Sequence, residues 1–142
     1  AGTGVAHSEK NHNQQQEVKF LQIWVFPNKR GIKPNYGQQT FAPEARHNQL
    51  LQVVSPDGDG TNPHIQQDAW FHIGNLDKGF SAEYTVKKAN NGVYAFVLEG
   101  DVTINGQALH RRDGFGIWET DKFEISADSN AELLLMEVPM EF

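Results

Sequence analysis

The feature that most constrains this chain is a series of eight short apolar runs between residues 50 and 138. The runs cover residues 50–54, 69–73, 80–86, 93–98, 102–104, 115–118, 123–125 and 133–138. Every gap between them contains Gly, Asn or Asp, which are residues that favour turns. Short apolar runs separated by turn residues are typical of the strands of a β-sandwich or a small barrel. The sequence therefore predicts an all-β fold.

Two local patterns predict antiparallel pairing of these strands. Asn105-Gly106 is the dipeptide favoured in a two-residue hairpin, because both positions tolerate a positive φ. In residues 80–86 apolar and polar side chains alternate, as they do in a strand with one face in the core and the other in solvent.

The first third of the chain has a different pattern. The segment from Val18 to Phe26 is almost continuously apolar or aromatic, which predicts a strand covered on both faces. Residues 28–48 contain prolines and many polar residues with no sustained period, as linkers do. We therefore expect an extra N-terminal strand segment in residues 1–27, a linker in residues 28–48 and a β-domain in residues 49–142.

Composition excludes several classes of function. The net charge of -6, from 12 basic and 18 acidic residues, disfavours binding to nucleic acid through its phosphates. The absence of cysteine removes disulfides and thiolate chemistry and suits a reducing compartment. No apolar run approaches the roughly 20 residues of a membrane span, and no leader pattern is present. We expect a cytoplasmic protein with no membrane partner.

One candidate metal site lies at the start of the chain, where a Gly2-Thr3-Gly4 turn leads to His7 and Glu9. Side chains two residues apart on an extended strand point the same way, so His7 and Glu9 could hold one cation together. A transition metal is held firmly by three or more protein ligands. The pair is therefore part of a site.

Other candidate residues are predicted to have ordinary structural roles. Five histidines lack ligand spacing and are predicted to be surface or hydrogen-bonded residues: His12, His47, His64, His72 and His110. Residues 57–62 resemble the start of a calcium loop only superficially, because Asp68 occupies position 12, where a glutamate is expected, and Pro63 interrupts the run. We therefore predict a solvated turn there. Trp24, Trp70 and Trp118 lie in apolar runs and are predicted to pack in the core.

The chain also resembles the second sequence motif of the cupins, G-x5-P-x-G-x2-H-x3-N, in two places. The second half of the motif is similar to residues 2–11, with His7 at the position of the metal-binding histidine. A complete copy is similar to residues 106–121, with Ile117 at that position. The resemblance implies a cupin fold, a jelly-roll-like antiparallel β-barrel or sandwich, with a metal in the first copy and none in the second.

A two-cupin chain with metal in its first barrel only, and with a long linker, resembles the pirin family. Further stretches carry the resemblance: residues 1–9, 21–25, 31–34, 55–58, 65–69, 92–94, 100–106 and 113–114, together with Pro27. Pirins bind one metal, often iron, through three histidines and a glutamate. Several cleave the flavonol quercetin with dioxygen, and the animal members are described as transcriptional co-regulators. The chain resembles the back portion of such a protein, beginning inside the first barrel's second motif.

The resemblance implies that His7 and Glu9 are two of four ligands, with the other two in a His-x-His pair ahead of Ala1. In the complete protein we expect Fe or another divalent transition metal, a flavonol-type aromatic substrate, and Glu9 as the general base toward the flavonol hydroxyl. In this chain alone we expect neither metal nor turnover. In the second barrel the first-motif ligand positions fall on residues with no ligand chemistry for a metal: Lys87, Ala89 and Val93.

Several alternatives stay open at this point. The protein could be a regulatory module that binds protein without turnover, or a structural barrel that supports the metal-binding half. The barrel could be filled by side chains or could hold a small apolar ligand. Without a first barrel, the segment from Val18 to Phe26 would leave apolar surface exposed, so we also predict a homodimer formed through it.

Overall fold

The computed structural model describes residues 2–58 and 63–141, and these residues form nine β-strands, one 3-10 turn at Pro43–Arg46 and no α-helix. The strands are β1 (Leu51–Val54), β2 (Trp70–Leu76), β3 (Ser81–Thr85), β4 (Asn91–Glu99), β5 (Val102–Ile104), β6 (Gln107–Leu109), β7 (Gly114–Ile117), β8 (Lys122–Ala127) and β9 (Ala131–Pro139). They form a five-stranded sheet in the order β1-β2-β9-β4-β7 and a four-stranded sheet in the order β3-β8-β5-β6. All the strand pairs are antiparallel. The predicted all-β antiparallel fold is confirmed.

The main core lies between the two sheets. Leu133 and Leu135 of β9 and Val97 of β4 are completely buried on the inner face of the larger sheet. They pack with Phe123 and Ile125 of β8 on the smaller sheet. Large apolar side chains thus fill the space between the sheets, as the filled-barrel alternative expects.

The outer face of the larger sheet is apolar as well. Leu134 and Met136 of β9 point away from the main core and form a second cluster with Phe71 and Ala69. Alternation along β9 therefore places apolar side chains on both faces of one strand. Val25, from the N-terminal segment, packs against this second cluster.

The strand predictions in the second part of the chain are confirmed for all eight runs. The predicted hairpin is also confirmed, since Asn105 (φ 47°) and Gly106 (φ 81°) both have positive φ between β5 and β6. The ninth strand, Gln107–Leu109, was not predicted, because two of its three residues are exposed and no apolar run marks it.

The predicted strand at residues 18–26 is wrong for this chain, because these residues have no regular secondary structure. A strand needs a neighbour that takes its backbone hydrogen bonds, and no described strand pairs with this segment. Its aromatic side chains are largely exposed, with Trp24 at 82%. The core-packing prediction is therefore wrong for Trp24, and also for Trp118, which is 57% exposed.

Part of one predicted feature lies outside the residues that the structure describes. The predicted solvated turn at residues 57–62 falls partly on residues 59–62, which lie outside the described residues. Within residues 2–58 and 63–141, no helix has the length and apolar character that crossing a membrane requires. The division of the chain at residues 27 and 48 stays a prediction.

Candidate functional site

The candidate metal ligands lie side by side on the surface. His7 Nε2 is 3.7 Å from Glu9 Oε1, and the two side chains are 55% and 66% exposed. Two donors on one transition-metal ion lie roughly 3.0 to 3.4 Å apart, given metal–ligand distances of about 2.1 Å. The imidazole and the carboxylate therefore fit as two neighbouring ligands after a small rotation of either side chain.

The described residues supply no third ligand of this kind. Within residues 2–58 and 63–141, no group of three or more His, Cys, Asp or Glu side chains could hold a metal ion. His7 and Glu9 thus provide two donors of the four that the resemblance implies.

The turn that carries this pair is packed against the linker. The Thr3 amide donates a 2.9 Å hydrogen bond to the carbonyl oxygen of Ile32. Gly2 adopts a φ of +54°, and a Cβ at this position would lie 2.3 Å from the same carbonyl oxygen and 2.8 Å from the nitrogen of Pro34. Only glycine fits there, because a Cβ would overlap backbone atoms.

The linker is in turn attached to the β-domain. The Asn28 amide donates a 2.8 Å hydrogen bond to the Gln66 carbonyl oxygen. The side chain of Gln67, which is buried, donates a 2.9 Å hydrogen bond from Nε2 to the Phe26 carbonyl oxygen. These bonds fix the path of the chain between the candidate metal turn and the sandwich.

The ligand positions of the second barrel contain no metal-binding groups. Val93 on β4 and Ile117 on β7 are buried and belong to the main apolar core. Lys87 and Ala89 are exposed in the loop before β4. Their side chains offer one amine and three hydrocarbon groups, which is not a donor set for a transition metal.

A buried carboxylate lies beside these positions and was missed in the sequence. Glu137 on β9 is completely buried and accepts hydrogen bonds from four donor groups. The donors are the Tyr84 hydroxyl at 2.8 Å, the backbone amides of Lys87 and Lys88 at 2.9 to 3.0 Å, and the Asn91 side-chain amide at 2.9 Å. The loop between β3 and β4 is thus bonded to the Glu137 side chain through its backbone N–H groups. The alternation of Leu133, Leu135 and Glu137 was the signal that could have revealed this carboxylate.

Two aromatic side chains complete this cluster. The Tyr84 hydroxyl lies 3.4 Å from His72 Nδ1, and the two rings pack edge to face at 5.1 Å. Burial and the nearby Glu137 carboxylate raise the pKa of Tyr84. Burial, and to a smaller extent the charge of Lys87, lower the pKa of His72 to about 4. At neutral pH the cluster therefore contains a protonated tyrosine and a neutral histidine.

The remaining histidines are surface or hydrogen-bonded residues, as predicted. His47 Nε2 lies 2.9 Å from Asp77 Oδ2, and His110 Nδ1 lies 2.8 Å from Asp101 Oδ1. The other exposed histidines are His12 and His64. Only His72 of this set is buried within the part of the chain that the structure describes.

Comparison with protein families and relatives gives consistent results. The family model of the quercetinase C-terminal cupin domain matches residues 52–138. The chain is 35% identical to a quercetin 2,3-dioxygenase of Escherichia coli (strain K12) over 139 residues, which is 98% of this chain and 58% of that relative. It is 30% identical to a pirin-like protein of Caulobacter vibrioides over 138 residues, which is 96% of this chain and 59% of that protein. The chain thus spans a little over half the length of these relatives.

The fold is also similar to a solved structure. The crystal structure of the bacterial pirin YhhW from Escherichia coli, in complex with nickel(II), superimposes with a TM-score of 0.74 at 33% sequence identity. The match covers 82% of this chain and 48% of that one.

Proposed function

Because the chain belongs to the pirin family of cupin proteins, with a quercetinase C-terminal cupin domain in residues 52–138, we propose that it is part of a metal-dependent quercetin (flavonol) 2,3-dioxygenase. In this proposal the metal lies in a preceding cupin barrel and His7 and Glu9 are two of its ligands. The adjacent placement of the imidazole and carboxylate, 3.7 Å apart, is the observation that carries the proposal. The name of the Escherichia coli relative, quercetin 2,3-dioxygenase, supports the choice of substrate class.

Each of the two residues has a separate task. His7 would contribute the lone pair of a neutral imidazole nitrogen. A carboxylate oxygen of Glu9 would take the proton of the flavonol hydroxyl, and the exposed Glu9 side chain is open to such a substrate. A divalent transition metal bound there, such as iron, would supply Lewis acidity and would orient the flavonol toward dioxygen.

The proposal assigns the two other ligands to histidines outside this chain and assigns no turnover to the chain by itself. The β-domain would then support the metal-binding half. This role is favoured by the apolar core around Val93 and Ile117, since ligand positions that pack as core residues stabilise a barrel rather than bind a metal.

An oxygen-uptake assay tests this function. The complete protein, loaded with Fe²⁺, is expected to consume dioxygen when quercetin is added, and His7→Ala and Glu9→Ala variants are expected to lose this uptake. No uptake by a fully metallated wild-type sample would contradict the dioxygenase and would favour the regulatory, protein-binding alternative.

A further inference from the structure

We infer that residues 32–34 of the linker are positioning residues for the metal ligands, so that the affinity of the complete protein for metal depends on the contact between this segment and Gly2. The inference rests on the proposed function, because it concerns the same two ligands. It goes beyond that function by assigning a role to the segment between the barrels.

Backbone atoms of the linker lie very close to Gly2. The Ile32 carbonyl oxygen accepts the Thr3 amide hydrogen bond at 2.9 Å and lies where a Cβ of residue 2 would be. A backbone hydrogen bond and a close backbone contact together fix both the distance and the orientation of the turn. The segment that follows this turn carries His7 only five residues later.

The start of the linker is hydrogen-bonded to the β-domain. Residues 32–34 lie a few residues after Asn28, whose amide is bonded to the Gln66 carbonyl oxygen, and the preceding Phe26 carbonyl oxygen is bonded to buried Gln67. Two hydrogen bonds thus attach the chain to the β-domain a few residues before this segment. A ligand-bearing turn packed on such a segment has less freedom than one on a free terminus.

Groups that are hydrogen-bonded to a metal ligand typically change metal affinity by about 10- to 100-fold when they are altered. The contact at Gly2 acts on His7 and Glu9 through the intervening chain. Loss of the Gly2 contact would leave both donors in place but would allow the turn to move. The expected effect is therefore weaker metal binding, with the ligand set unchanged.

A matched pair of glycine substitutions tests the inference. Gly2→Ala introduces a Cβ that overlaps the Ile32 carbonyl oxygen, at a residue with φ +54°. Gly31→Ala introduces a Cβ into open space at a residue with a similar φ of +69°. Both variants carry the strain of a positive φ, but only the first disturbs the contact.

The measurement is the dissociation constant of Ni²⁺ for the complete protein, determined by calorimetry, together with the unfolding temperature of the metal-free protein. Gly2→Ala is expected to weaken Ni²⁺ binding at least about tenfold, and Gly31→Ala by less than about twofold. The ligand-field spectrum of the Ni²⁺ complex is expected to change in Gly2→Ala only. Equal Ni²⁺ affinities for Gly2→Ala and the wild type, or equal losses in both variants, would overturn the inference.

The outcome separates this inference from the proposed function. If the wild-type complete protein binds no Ni²⁺, the proposed metal site fails. If it binds Ni²⁺ and Gly2→Ala binds equally well, only the positioning role fails.

A second measurement needs no substitution. In the 142-residue chain, hydrogen exchange is expected to be slower at the Thr3 amide than at the exposed Val5 and Ala6 amides, because Thr3 donates to Ile32. Exchange at Thr3 as fast as at Val5 would show that the contact does not form.

Discussion

Glu137 on β9 and Tyr84 on β3 lie on facing sheets, and the Tyr84 hydroxyl donates a 2.8 Å hydrogen bond to the Glu137 carboxylate inside the sandwich. The same carboxylate accepts the backbone amides of Lys87 and Lys88. The Glu137 side chain therefore joins β9, β3 and the loop between β3 and β4.

Removal of this carboxylate is expected to destabilise the β-domain. Glu137→Leu would remove the acceptor of the Lys87 and Lys88 backbone amides and the close acceptor of the Tyr84 hydroxyl, at a cost of about 3 to 5 kcal/mol in the free energy of unfolding. The Asn91 side-chain amide would lose one of its two acceptors and keep the Asp68 carbonyl oxygen. Glu137→Gln keeps one acceptor oxygen and is expected to cost less. Urea denaturation of the 142-residue chain measures both.

The control for this prediction is Glu124→Gln on the exposed face of β8, which is expected to leave the free energy of unfolding unchanged. A Glu137→Leu variant as stable as the wild type would show that the carboxylate does not hold the loop.

His72 is expected to make stability depend on pH. Its pKa is about 4 in the folded chain, below its ordinary value of 6.5, so the unfolded chain binds more protons between these two pH values. Stability is therefore fully present above pH 6.5 and falls as pH decreases toward 4, by roughly 3 kcal/mol at most from this residue.

Urea denaturation between pH 4 and 7 of the wild type and His72→Phe measures this effect. Phenylalanine keeps the edge-to-face packing on Tyr84 but cannot titrate. The difference between the two curves isolates His72 from His110, whose pKa is raised by Asp101 and whose contribution decreases as pH rises. If the free energy of unfolding changed with pH in the same way in both proteins, a neutral buried His72 would be ruled out.

Two glycines with similar φ are expected to differ strongly in tolerance to alanine. A Cβ at Gly100 (φ +79°) would lie 2.2 Å from the Asn130 carbonyl oxygen, whereas Gly106 (φ +81°) faces open space. Gly106→Ala is expected to cost about 1 to 2 kcal/mol from the left-handed conformation alone. Gly100→Ala is expected to cost clearly more, because backbone must also move. Thermal unfolding of both variants measures the two losses of stability. Equal losses in Gly100→Ala and Gly106→Ala would contradict this prediction.

The 142-residue chain is expected to form a homodimer through residues 18–26, because Phe20, Trp24 and Phe26 expose 64%, 82% and 73% of their surface. Sedimentation over a range of concentrations measures the dimer. Trp24→Ser with Phe26→Ser is expected to give a monomer, and Tyr36→Ser, at another exposed aromatic residue, is the control. A monomeric wild type at high concentration would remove this interface.

Most of the β-domain follows from local sequence, whereas the structure of residues 18–26 depends on a distant partner. Apolar runs identify strands, because the side chains of a half-buried strand alternate between core and solvent with a period of two. Asn105-Gly106 identifies a turn, because these two residue types favour the positive φ that a two-residue hairpin requires. Residues 18–26 have the composition of a strand but form none here, since pairing needs a neighbour that local sequence does not supply.

The candidate site shows the same division. His7 and Glu9 were identified from a local spacing of two residues. Glu137 was not, because its donors lie 46 to 53 residues away in sequence and meet it only in the folded sandwich. The Gly2 contact with Ile32 likewise joins two segments that no local pattern connects.

His7 and Glu9 are proposed to be half of a metal site that the rest of the protein completes, and metal content after dialysis tests this proposal most directly. We predict one tightly bound divalent transition metal per molecule of the complete protein, loss of that metal in His7→Ala and in Glu9→Ala, and none in the 142-residue chain. A stoichiometric metal in the 142-residue chain, or full retention of metal by either variant of the complete protein, would contradict the account.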